Sequence, residues 1–205
     1  MTALHRNIFS RTSHGALLGQ LTRPEYASAL VLLPRTGISL AHVDLCAGLV
    51  ARNIATLSIE LLTIREAQFP DATHNTALLT ERLTDTLDFI RHDGDMQELA
   101  LGLYAVDHIT PAAIRATAQR DRDVLALVTE NGFISNAGRE YLEALATPLL
   151  VLIDVEDIAA ANAARRAFDL VQAAHELRLI NPHEAASEAA AWFERWLVSP
   201  SPATT

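Results

Sequence analysis

Short runs of consecutive apolar residues alternate along the chain with longer stretches in which apolar positions recur every three or four residues. The first pattern has strand length and the second has helical spacing. Ala16 to Thr22 reads as a strand entering from the turn at Gly15. Ser28 to Leu33 (SALVLL) reads as a buried strand ended by Pro34 and Gly37. Ala41 to Asn53 is helical and Ile54 to Leu61 (IATLSIEL) is extended. Beyond the loop containing Pro70, Thr76 to His92 carries Leu79, Leu83, Leu87 and Ile90 at helical intervals. This predicts a long amphipathic helix closed by the turn at Gly94.

The second half keeps the same rhythm. Glu98 to Tyr104, Asp123 to Thr129, Pro148 to Ile153 and Glu176 to Ile180 are strand-like. Between and after them, helices are predicted from Thr110-Pro111 onward, over Gly138 to Leu145, over Ile158 to Ala173 and over Glu184 to Leu197. Thr110 reads as an N-cap with proline at the first helical position. In the last helix Ala190, Phe193, Trp196 and Leu197 face the core.

Apolar strands separated by helices predict an α/β protein with a mostly parallel sheet covered on both faces. No linker or repeat divides the chain, so residues 1–198 read as one domain and 199–205 (SPSPATT) as a flexible tail. Ligands in such sheets bind beyond the carboxyl ends of the strands. Attention therefore falls on Pro34 to Gly37, Glu60, Ala105 to Ile109, Glu130 to Phe133, Asp154 to Asp157 and Asn181 to Glu184, ranges that include Arg35, Thr36, Asp107, His108, Phe133, Asp157 and His183.

Composition removes several chemistries. All 16 basic residues are arginine, so a lysine Schiff base, a Walker-type lysine and a Ser-Lys dyad are excluded. The net charge of -9 argues against an overall basic footprint for nucleic acid or anionic membrane. Cys46 is the only cysteine and falls within an apolar helical pattern, as a packed thiol does. No segment has the length of a membrane helix or the zones of a signal peptide, so a soluble cytoplasmic protein is the expectation. The eight histidines form no metal-ligand motif, and no metal or cofactor is expected. The turn after SALVLL lacks the G-x-G-x-x-G of a dinucleotide site. Two-fold assemblies are common, so a homodimer is the expected oligomer.

The residues that follow the strands resemble those of the small, lidless α/β-hydrolases of the dienelactone hydrolase type, over roughly residues 13 to 197. Leu33-Pro34-Arg35-Thr36-Gly37 stands where that group has its oxyanion turn. Leu101-Gly102-Leu103-Tyr104-Ala105-Val106-Asp107-His108-Ile109 stands where it has its nucleophile elbow. Asp157, after PLLVLI, takes the acid position, and His183, after LRLI, takes the histidine position. The resemblance implies a three-layer sandwich with about seven or eight strands and no cap domain.

The departures lie in the chemistry. The elbow normally reads Gly-x-nucleophile-x-Gly with Ser or Cys, because small residues permit a strained strand-to-helix turn. Here it is Ala105-Val106-Asp107-His108-Ile109, and Ile109 is not easily fitted into a tight elbow. Pro34-Arg35 replaces a His-Gly pair, which removes an N–H and adds bulk. Standard Ser or Cys hydrolysis is therefore not expected, and a binding or interaction role on a retained scaffold fits better. The alternative is an active hydrolase of a small ester, lactone or carbon–halogen bond. In that case Asp107 attacks carbon, with His183 and Asp157 completing a triad. His108 is a further candidate base, Arg35 a candidate anion contact, and Phe133 a candidate cleft wall.

Overall fold

A computed structural model describes residues 3–12, 15–37, 42–120 and 122–198. The strands are β1 (Ala3–Thr12), β2 (Gly15–Pro24), β3 (Ala29–Arg35), β4 (Ile54–Glu60), β5 (Ala100–Val106), β6 (Ala126–Glu130), β7 (Leu149–Asp154) and β8 (His175–Ile180). The helices are α1 (Val43–Ala51), α2 (Pro70–Thr73), α3 (Thr76–His92), α4 (Thr110–Gln119), α5 (Arg139–Ala144), α6 (Ile158–Phe168) and α7 (Ala185–Phe193). A π-helical turn, Glu194–Val198, continues α7. The region read as a tail, 199–205, lies outside the described residues.

The eight strands form one sheet in the order β1-β2-β4-β3-β5-β6-β7-β8. β1 and β2 make an antiparallel hairpin, β2 runs antiparallel to β4, and every pairing from β4 to β8 is parallel. The pleat divides the core in two. On β3, Leu30 and Leu32 pack under α3, α4, α5 and α6 together with Leu79, Leu83, Ala112, Leu142 and Ala161. Ala29, Val31 and Leu33 point to the other face, against Leu45 and Leu49 of α1 and Ala189, Trp192 and Phe193 of α7. The alternate sides of one strand thus bury two helical layers.

Two local features explain how closely the layers approach. A Cβ on Gly102 of β5 would lie 2.7 Å from the Phe193 ring, so α7 seats on the sheet only over glycine. Cys46 of α1 is half-buried beside Thr56 and Ser58 of β4, and burial raises its thiol pKa, consistent with a packed thiol.

β1 is absent from the hydrophobic reading for a physical reason. It is an edge strand in which only Ile8 and Ser10 are buried, and Phe9 is 65% exposed. Its register with β2 and the ion pairs of Arg6 with Asp93 (2.6 Å) and Asp95 (2.7 Å) hold it in place. Thr110 also differs from expectation. The chain enters α4 through a 3₁₀ turn, Asp107–Ile109, so Thr110 is already helical. Among the described residues, its buried hydroxyl has no hydrogen-bond partner.

Candidate active site

β5 ends at Val106, and Asp107 follows with φ of +50°, in the left-handed region that a non-glycine residue seldom adopts. This sharp exit leaves the Asp107 side chain exposed at the carboxyl end of the sheet. Ile109 does not prevent the elbow, because the 3₁₀ turn carries it into the core, where it is 4% exposed. The space for the turn comes from the neighbouring loop. A Cβ on Gly132 would lie 1.9 Å from Thr110 Oγ1 and 2.6 Å from the Asp107 carbonyl oxygen. Asn131, itself at φ +52°, accepts from the Asp154 N–H (3.0 Å) and fixes that loop against β7.

The segment that ends β3 is also ordered by pairing. β3 pairs with β5 only from Ala29 to Leu32, whereas its rungs to β4 continue through Pro34 and Arg35. Pro34 therefore lies past the last rung to β5. Arg35 forms an ion pair with Glu60 (2.9 Å). The next residue, Thr36, places its Oγ1 2.8 Å from His108 Nε2. The His74 ring lies 5.1 Å from the His108 ring, centroid to centroid. Burial, then His74, lowers the His108 pKa, and the neighbouring Asp107 carboxylate opposes them.

Below the elbow, the Tyr104 hydroxyl donates to Glu130, the last residue of β6. Burial raises the Glu130 pKa against that hydrogen bond, and the charge of Asp107 adds to the rise. The His42 and Tyr104 rings meet nearly perpendicular, 5.5 Å apart. Burial, then Arg35, lowers the His42 pKa to about 4, so its ring is held neutral.

Asp157 and His183 both follow their strands at the same end of the sheet, but they are not joined. Asp157 is the N-cap of α6 and accepts from the Ala160 N–H (2.8 Å). His183 is exposed in a 3₁₀ turn three residues after β8. That turn is fixed by a capping box in which the Asn181 N–H donates to Glu184 (2.8 Å). Among the described residues, no hydrogen bond or ion pair links His183 to Asp157 or to Asp107. Phe133, 47% exposed, precedes the turn Ile134–Ala137. Asp157→Ala is thus expected to cost about 1 kcal/mol through loss of the cap, read as a lower melting temperature. The geometry around Asp107 should be unchanged.

A mainly apolar cleft of about 570 Å³ opens between β2 and the segment after β4, lined by Leu18, Gly37, Glu60, Leu62, Thr63 and Ile64. Its wall is braced from inside the protein. Arg82 of α3 is 0% exposed, donates to Thr12 at the β1–β2 turn, and pairs with Glu66 (2.9 Å). Glu66 in turn accepts from the Thr63 N–H (2.8 Å). Burial pushes the Glu66 pKa up, but the Thr63 hydrogen bonds and Arg82 outweigh it and leave it below the ordinary value.

No protein-family model and no curated protein matches the chain. Solved structures do. The dienelactone hydrolase of Anabaena variabilis ATCC 29413 superposes with a TM-score of 0.89 at 24% identity, covering 95% of this chain and 99% of that one. The chain has a dienelactone hydrolase-like α/β-hydrolase fold. Est1E from Butyrivibrio proteoclasticus shares this α/β-hydrolase fold at a TM-score of 0.75 and 10% identity, covering 91% and 97% of the two chains. An α/β serine hydrolase homologue from Coxiella burnetii does so at 0.71 and 13%, covering 91% and 94%. No helix among the described residues is long and apolar enough to cross a membrane.

Within this α/β-hydrolase fold, the sequence placed Asp107, His108 and Glu130 at strand ends, but not their mutual contacts. Tyr104, Glu130, His74 and the Thr36–His108 contact come from four separate loops and strands. Gly132, in the loop after β6, was the one legible signal, since an isolated glycine beside a strand end marks close backbone approach.

Proposed function

We propose that this hydrolase-fold chain binds a small molecule at the carboxyl end of its sheet without hydrolytic turnover by a serine or cysteine triad. The observation that carries this reading is the state of the three triad positions. The elbow holds an aspartate, the Asp157 carboxylate caps α6, and His183 is exposed and bonded to neither. A general base has to be within hydrogen-bond reach of the group it activates, or one water away. The apolar cleft beside Gly37 offers the space for a ligand, and Glu60, the ion-pair partner of Arg35, is one of its lining residues.

A second reading is favoured by one feature. The left-handed Asp107 keeps its carboxylate exposed at the elbow, as an attacking group requires. Asp107 would then displace a leaving group from carbon in a small ester, lactone or haloalkyl compound.

Fluorophosphonate labelling tests the first part of the proposal. Ser58 lies within β4 and Ser135 in the turn Ile134–Ala137, and neither occupies an elbow. Ser39 lies outside the described residues. No stoichiometric serine adduct is expected by mass spectrometry, and a specific serine adduct would contradict the proposal.

A further inference from the structure

The contact between Thr36 and His108 is not used by either reading of Asp107. It joins a hydroxyl at the end of β3 to an imidazole on the elbow, at 2.8 Å, with both residues half-buried. This is the distance at which a base takes the proton of a hydroxyl nucleophile. Asp107 adjoins His108 on the chain, and its carboxylate favours the imidazolium that proton uptake creates. Burial and the neighbouring His74 ring act in the opposite sense and keep the resting imidazole able to accept a proton. The neighbour of Thr36, Gly37, lines the apolar cleft, which puts the cleft wall one residue along the chain from the hydroxyl.

We propose that Thr36 and His108 form a hydroxyl–imidazole dyad that accepts an acyl group from a small, apolar, activated ester, with Asp107 supporting the base. The inference rests on the reading that the chain binds small molecules without triad turnover, and adds covalent capture to it. In the acceptor tautomer, His108 Nε2 takes the proton of Thr36 Oγ1 as the oxygen lone pair forms a bond to the acyl carbon. The tetrahedral adduct collapses, the bond from carbon to the leaving oxygen breaks, and that oxygen takes the proton back from Nε2. The products are a Thr36 ester and a free alcohol, and no redox partner or metal is required.

The test is p-nitrophenyl acetate with the full chain, following nitrophenol release and mapping the acetyl group by peptide mass spectrometry. The expected result is a burst approaching one equivalent, with the acetyl group on Thr36. His108→Gln should slow the burst by about 10²-fold, the usual scale for a lost general base. Thr36→Ser should retain the burst and Thr36→Val should lose it. If Thr36→Val does not fold, the wild-type map and the His108→Gln rate still decide. An unlabelled Thr36 in the wild type, or equal labelling in His108→Gln, overturns the dyad. Absence of any adduct in a protein that also shows no turnover overturns the dyad alone. Turnover with the adduct mapped to Asp107 overturns the reading on which it rests.

Discussion

Gly132→Ala is expected to lower the melting temperature by about 4–10 °C, following from about 2–3 kcal/mol of overpacking in a chain of this size. A methyl group there would lie 1.9 Å from Thr110 Oγ1, 2.4 Å from Thr110 Cβ and 2.6 Å from the Asp107 carbonyl oxygen. None of these is the free end of a flexible side chain. The elbow backbone or the first turn of α4 has to move. The same substitution should therefore disturb every feature that depends on the elbow, including the Thr36–His108 contact. Thr110→Ala is the control. Its hydroxyl has no hydrogen-bond partner among the described residues, so its removal forfeits packing only and should be much milder. A Gly132→Ala protein with an unchanged melting curve would show that the elbow is not packed as described.

Glu66→Ala should be comparably damaging for a different reason. It leaves the guanidinium of Arg82, 0% exposed, without its carboxylate partner. Removing one member of a buried pair typically costs about 3–5 kcal/mol, because the remaining charge stays desolvated. Glu66 itself is 25% exposed, so water entering the vacated site reduces the expected cost to about 2–4 kcal/mol. Arg82→Met in the same background removes the stranded charge and should restore part of the loss. Chemical denaturation of both single variants and the double variant supplies the cycle. Additive losses would contradict a coupled pair. The sign of the pH dependence follows from the Glu66 carboxyl being held below its ordinary 4.5. The pair contributes fully above about pH 4.5 and its contribution is lost as the pH falls through the lower folded value.

Most of the fold was legible because its strands are buried on both faces. SALVLL, DVLALVT and PLLVLI are mainly apolar runs, and each overlaps a parallel strand with bounds shifted by one to three residues. The strand that escaped, β1, buries only Ile8 and Ser10 and gains its place from backbone pairing and from Arg6, neither of which produces periodicity. The position of Asp107 at a strand end was legible for the same reason as the strands. Its left-handed backbone was not, because the space for it is provided by Gly132 on another loop and by Ile109 turning inward. Asp157 shows the limit of positional reasoning. It stands where an acid was expected, yet it also immediately precedes a helix, the place where aspartate caps a free N–H. Arg82 carried no signal at all, since an arginine in an amphipathic helix looks solvated until its partners on distant turns are known.

The chemistry of Asp107 decides whether this fold turns over a substrate. Steady-state turnover of nitrophenyl esters, lactones and haloacids should be measured for the wild type and for Asp107→Asn, with melting curves for both. The predicted result is no multiple turnover above background for either protein. Sustained turnover by the wild type, abolished in Asp107→Asn with an unchanged melting curve, would contradict it and establish Asp107 as the nucleophile of a working hydrolase.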